Sequence, residues 1–182
     1  QNVSSAKNAL NGDQNVTNAK NAAKNALNNL TSINNAQKRD LTTKIDQATT
    51  VAGVEAVSNT GTQLNTAMAN LQNGINDKTN TLASENYHDA DPDKQTAYDN
   101  AVTKAEELLK QTTNPTMDPN TIQQALTKVK DTNQALNGNQ KLADAKQAAK
   151  TNLGTLDHLN DAQKQALTTQ VEQAPDIATV NN

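Results

Sequence analysis

The chain repeats itself, and the spacing of that repeat limits the folds open to it. Displaced by 126 positions, residues 1–56 align without a gap on residues 127–182 and agree at 24 positions. Asn11-Gly12 meets Asn137-Gly138, Ala22-Ala23-Lys24 meets Ala148-Ala149-Lys150, and Leu41-Thr42-Thr43 meets Leu167-Thr168-Thr169. A period of that length exceeds one solenoid turn and fits small domains in tandem. The sequence therefore reads as a window on a longer array.

Any core must be made without large rings. Tyr87 and Tyr98 are the only aromatic residues, and Phe, Trp and Cys are absent. Ala, Leu, Val and Ile suit thin helical bundles whose helices approach closely, not a large α/β enzyme core. The net charge of -3 is mild and no basic patch interleaves with aromatics, which argues against nucleic acid as a partner. No apolar run approaches the roughly 20 residues of a membrane span. Neither disulfides nor thiolate metal sites can form.

Helical periodicity runs along the whole chain. Val54, Val57, Gly61, Leu64, Met68, Leu71, Ile75 and Leu82 follow alternating steps of three and four, with Lys78 at one missed position. That stripe predicts one helix from about 50 to 82, spanning about 48 Å if unbroken, as a bundle core stripe rather than a dimeric seam. Asp91-Pro92 and Asp118-Pro119 each read as an N-cap followed by proline at the first helical position. The helices they start should end near Thr112 and near Leu136. Asn137-Gly138 reads as a helix end with Gly138 in the left-handed conformation. Three helices over 55–137 can close an antiparallel bundle.

The repeated segment holds a second kind of bundle. Its first helix uses Val16, Ala19, Ala23, Leu27 and Leu30. Asn34-x-x-Gln37 has the form of a capping box opening a second helix through Leu41, Ile45 and Ala48. A third helix starts near Thr50 and continues into the long stripe, so that one helix serves two bundles. Asn160-x-x-Gln163, Leu167, Val171 and Ala174 repeat the pattern, and Pro175 opens a third helix cut off at Asn182. The expected division is 1–12 as the last helix of an upstream bundle, 13–54 as a three-helix bundle, 55–137 as a second kind, and 138–182 as a truncated copy of the first.

Few residues offer chemistry. His88 and His158 sit in expected loops or helix ends beside Asp89 and Asp157, and read as solvated side chains. Asp91 and Asp93 lie near His88, but Asp91 has a capping role. Glu106 and Glu107 point about 100° apart on a helix and do not converge. Gly12, Gly61, Gly74, Gly138 and Gly154 form no phosphate-binding loop. Tyr98 is expected in the core, and Tyr87, in the loop before Asp91, is the better candidate for an exposed contact. No catalytic, cofactor-binding or metal-ligating residue is assigned, and the ligand-contacting residues are left open.

The segment from Ala145-Lys146 through Leu159-Asn160-x-Ala162-Gln163-Lys164 to Ala174, with its counterpart from Ala19 to Ala48, resembles the GA module of Gram-positive surface proteins. Tyr98-x-x-Ala101-x-x-x-Ala105-x-x-Leu108-Leu109, continuing to Ala135-Leu136-Asn137-Gly138, resembles the FIVAR module. Their alternation at this period is similar to the giant staphylococcal matrix-binding surface proteins. The resemblance implies an all-α fold: tandem three-helix bundles joined into an elongated rod, with a long helix shared between neighbours. It also implies a non-enzymatic, monomeric repeat of a cell-wall- or cell-membrane-associated adhesin, without cofactors, that binds host extracellular matrix such as fibronectin and is anchored by parts outside this chain. The alternative is a specific module for serum albumin or cell-wall glycan. GA modules that bind albumin do so through the second helix and its flanking loops, with aromatics near its start. Asn34–Lys38 and Asn160–Lys164 contain none, so no albumin contact is assigned.

Overall fold

The structure is a computed structural model that describes the backbone of residues 2–182 and the side chains from Gly12 onward. The expected packing of residues 1–12 as the last helix of an upstream bundle therefore lies, for residues 1–11, outside the described residues. Among the described residues ten helices follow one another: α1 (Asn2–Asn28), α2 (Asn35–Gln47), α3 (Val51–Ile75), α4 (Lys78–Ala83), α5 (Glu85–His88), α6 (Pro92–Lys110), α7 (Pro119–Gln134), α8 (Gly138–Gly154), α9 (Asp161–Gln173) and α10 (Ile177–Asn181). The described residues form two compact units. One comprises residues up to Ile75 with Thr103–Lys128, and the other Asn76–Val102 with Val129–Asn182, so α6 and α7 contribute to both.

The first unit contains a three-helix bundle of α1, α2 and α3. Apolar residues three and four apart put Ala23 and Leu27 of α1, Leu41 and Ile45 of α2, and Val54 and Leu64 of α3 into one core. Each such Leu or Ile, once fully buried, contributes roughly 1.5–3 kcal/mol. Gly61 faces the core of this bundle, where a Cβ would lie 3.4–3.7 Å from Leu41, Leu30 and Leu27. The capping box is formed: Gln37 N–H donates to Asn34 Oδ1 (2.8 Å) and Asn34 N–H donates to Gln37 Oε1 (3.0 Å). At the other end of α2, Lys20 Nζ donates to the Asp46 carbonyl (2.8 Å) while Lys24 pairs with the Asp46 carboxylate. A cation there meets the carbonyls that the helix leaves unsatisfied and the negative end of its dipole.

The long stripe is not one helix. α3 stops at Ile75, Asn76-Asp77 makes a turn, and α4 restarts at Lys78. The register slips by one, so that Thr81 is buried at 8 % exposure and Leu82, on the expected stripe, is half-exposed. The apolar residues on either side are in phase, but the Asn-Asp pair between them has side chains that compete for backbone and neighbouring polar groups; Asp77 accepts from Asn80 Nδ2 at 2.7 Å.

The second unit is organised at Asn137-Gly138. α7 does end before this pair, as expected, but no glycine has a positive φ. Gly138 is instead the first residue of α8, and its reason is space. A Cβ on it would lie 2.3 Å from the carbonyl oxygen of Asn86. Asn139 N–H donates to Asn86 Oδ1 (2.9 Å), which seats α8 on α5. At the equivalent Gly12 nothing lies within 4 Å, and α1 runs through it without a break. The register places the counterpart of Asn86 before residue 1, so the same dipeptide supports a junction in one place and a helix interior in the other. Tyr98 is the largest buried side chain here, at 2 % exposure.

α8, α9 and α10 repeat the arrangement of the first bundle, with α10 five residues long. The capping box recurs at Asn160 and Gln163 (2.8 and 3.0 Å). Lys146 Nζ donates to the Glu172 carbonyl (2.9 Å), and Lys150 pairs with its carboxylate (3.2 Å). α10 begins at Ile177, two residues later than Pro175, with Asp176 as its cap to Thr179 N–H (2.7 Å).

Candidate functional site

Among the described residues, two polar clusters and an apolar cleft bear on function. The cleft lies among α8, α9 and α10, lined by Ala149, Leu153, Leu167, Val171, Ala174 and Val180, with a volume of about 600 Å³. The equivalent space in the first bundle, beside Ala23, Leu27 and Ile45, is about 30 Å³, because Val57, Ser58 and Thr62 of α3 close it. Those positions have no counterpart before Asn182. For the same reason Leu156, equivalent to half-buried Leu30, is 38 % exposed. The cleft is the interior of a bundle, not a built ligand site: no charged side chain lines it.

The first cluster is around Asp91. The expected side-chain cap is corrected: α6 begins at Pro92, but the Asp91 carboxylate turns to Lys141 Nζ (2.9 Å) and Asn137 Nδ2 (2.8 Å). Asn137 Oδ1 in turn accepts from Asp91 N–H (2.9 Å). Hydrogen bonds from Lys141 and Asn137 hold the Asp91 carboxyl below the usual carboxylate range. Asp118 does cap as expected, accepting from Asn120 N–H (2.9 Å).

Tyr87 lies on α5, not in a loop, and is half-buried. Its hydroxyl donates to the Asp99 carboxylate (2.9 and 3.0 Å), and its ring stands edge-on to Tyr98 with centroids 6.3 Å apart. Burial and the Asp99 carboxylate push its hydroxyl pKa up. Only the expected loop placement is corrected; the hydroxyl is held at the surface by Asp99, twelve residues away. His88 is exposed beside it, with ring centroids 5.8 Å apart, and His158 is exposed in the turn after α8. Glu106 is half-buried and Glu107 exposed. Among the described residues, no three His, Cys, Asp or Glu side chains gather as a metal site would require. No described helix is long and apolar enough to cross a membrane.

The second cluster is at the N-terminal end of α2, which sequence reasoning recognised only as a cap. The segment between α6 and α7 folds over it: Gln37 Nε2 donates to the Thr116 carbonyl (2.9 Å) and Arg39 Nη2 to that of Thr112 (3.0 Å). Gln37 is completely buried. These pairs are separated by more than 70 residues, and no local pattern announces them.

Two three-helix segments, each with a capping box at the start of its second helix, flank a differently built helical module, which makes this a tandem helical-repeat protein. The family comparison agrees: the GA module matches residues 13–67 and 139–182, and the FIVAR domain matches residues 67–137. The chain belongs to the GA-module family, with a FIVAR match between its two GA segments.

Its relatives include the extracellular matrix-binding protein ebh of Staphylococcus aureus strain MW2, 71 % identical over 99 % of this chain. The extracellular matrix-binding protein EbhA of strain Newman is 70 % identical over the same share. The chain spans about 2 % of the length of the first and 5 % of the second. A crystal structure of EbhA (756-1003 domain) from Staphylococcus aureus superposes with a TM-score of 0.89 at 43 % identity, covering all of this chain and 75 % of that one. A structure described with Embp-mediated adherence of Staphylococcus epidermidis to fibronectin gives 0.65 at 28 % identity, covering 68 % of this chain and 98 % of that one.

Proposed function

We propose that this chain is a non-enzymatic structural repeat of a bacterial surface adhesin, a stiff rod segment that contributes to binding host extracellular matrix of the fibronectin type. The carrying observation is α3, 25 residues long and unbroken from the first GA segment into the FIVAR match that begins at residue 67. At 1.5 Å per residue it spans about 37 Å. A helix running through a junction would transmit orientation from one module to the next. The similarity to extracellular matrix-binding proteins supports the matrix partner. Modules divided at 1–12, 13–54, 55–137 and 138–182 would follow one another as a monomeric chain on the cell surface, attached to wall or membrane by parts outside this sequence.

Such a repeat would bind weakly by itself and usefully in many copies, since linked sites raise effective concentration. Binding to immobilised fibronectin should be near the detection limit for this chain and should rise steeply for two, four and eight tandem copies. Absence of binding at every copy number would refute the matrix role. Serum albumin serves as the comparison ligand. The start of α2, the region that albumin-binding GA modules use, carries no aromatic anchor of the kind that dominates interfaces, so albumin should not bind.

A further inference from the structure

The capping box at the start of α2 does more than close the helix. Asn34 Oδ1 and Gln37 Oε1 act as acceptors for the two backbone N–H groups of the box. Each side chain then has an amide NH2 left over, aimed away from the helix. In the first GA segment both are used: Gln37 Nε2 reaches the Thr116 carbonyl at 2.9 Å, and Asn34 Nδ2 the Leu108 carbonyl at 3.4 Å. The Leu108 carbonyl lies in the last turn of α6, and the strap that follows it and supplies the Thr116 carbonyl is shaped for the contact. Gln111 Oε1 accepts from Thr116 N–H (2.8 Å), and Asn114, before Pro115, takes a left-handed φ of 46°. A neutral amide buried without an acceptor would cost about 1–3 kcal/mol, so the full burial of Gln37 depends on the strap being present.

The second GA segment carries the same box, with Asn160 and Gln163 in the same geometry, and its amide groups reach no described residue. Gln163 is exposed where Gln37 is buried. The geometry points to the start of α9 as a docking surface for one occupant: the last turn of an α6-type helix with the non-helical strap after it, of the residue 108–116 type, supplied by a following FIVAR domain one register of 126 residues along. Each GA segment in an array would thus be latched by the FIVAR domain after it, through side-chain amides reading main-chain carbonyls. This latch is independent of which matrix ligand the array binds.

The substitution Gln37→Glu breaks the latch, because glutamate still accepts from Asn34 N–H but has no NH2 to donate and sets a buried carboxylate against the Thr116 carbonyl. In the 182-residue chain, the Gln37 side-chain NH2 should exchange at least tenfold more slowly than the exposed Gln163 NH2, and Gln37→Glu should speed exchange of the strap amides after α6, while Gln163→Glu should change nothing there. A Gln37 NH2 that exchanges as fast as that of Gln163 would overturn the latch. For α9, the chain is extended at Asn182 in register, once by its own residues 57–128 and once by 57–102, which lack the strap. The Gln163 side-chain NH2 should become protected in the first and not in the second. Protection in both, or in neither, would refute docking at α9. The fibronectin assay is unaffected by either result.

Discussion

Replacing Gly138 and Gly12 by alanine should move stability in opposite directions, although the two occupy equivalent positions in the repeat. At Gly138 the new Cβ would meet the Asn86 carbonyl oxygen at 2.3 Å and its carbon at 2.7 Å, both backbone atoms that cannot rotate aside. Overpacking of that kind costs about 1–3 kcal/mol. The usual gain of alanine over glycine in a helix interior, about 1 kcal/mol, is reduced at a first helical position, leaving a net loss of about 1–2 kcal/mol. At Gly12 no atom lies within 4 Å and the helix continues on both sides, so alanine should stabilise by about 0.5–1 kcal/mol. Urea unfolding followed by far-UV circular dichroism gives the sign. Because the two units need not unfold together, hydrogen exchange at α5 and α8 amides should locate the Gly138→Ala loss. A Gly138→Ala chain as stable as the parent would refute the steric account of this junction.

Tyr98→Ala should remove about 3–5 kcal/mol and expose the amides around α6 to exchange, as read by native-state hydrogen exchange. Gly61→Ala should be tolerated or mildly stabilising, because its Cβ would make ordinary contacts at 3.4–3.7 Å, whereas Gly61→Leu should destabilise on urea titration. Asp91 has a folded pKa below its unfolded value, so its contribution is present above about pH 4 and is lost as pH falls through the lower folded pKa. Acid titration of Asp91→Asn by circular dichroism should therefore show a shallower loss of stability below pH 4 than the parent.

The parts of this fold legible in the sequence are those whose cause is local. Asn34-x-x-Gln37 and Asn160-x-x-Gln163 form capping boxes as read, and Asp118-Pro119 starts a helix with its carboxylate on the first turn. The heptad stripe located the core of α3 but hid its end, since the apolar residues flanking Asn76-Asp77 stay nearly in phase. Helices of six and four residues, α4 and α5, are too short to show a period. Gly138 was noticed for the wrong reason: its conformation is ordinary, and what demands glycine is a carbonyl 52 residues earlier. Tyr87 and the strap on Gln37 depend on partners 12 and 79 residues away, and no single sequence carries that information.

Small-angle scattering of the 182-residue chain tests the proposed rod directly. A compact globule of this length has a radius of gyration of about 16 Å. Orientation carried through continuous helices requires a value well above that, with a distance distribution tailing to long separations. A radius near 16 Å with a symmetric distribution would contradict it.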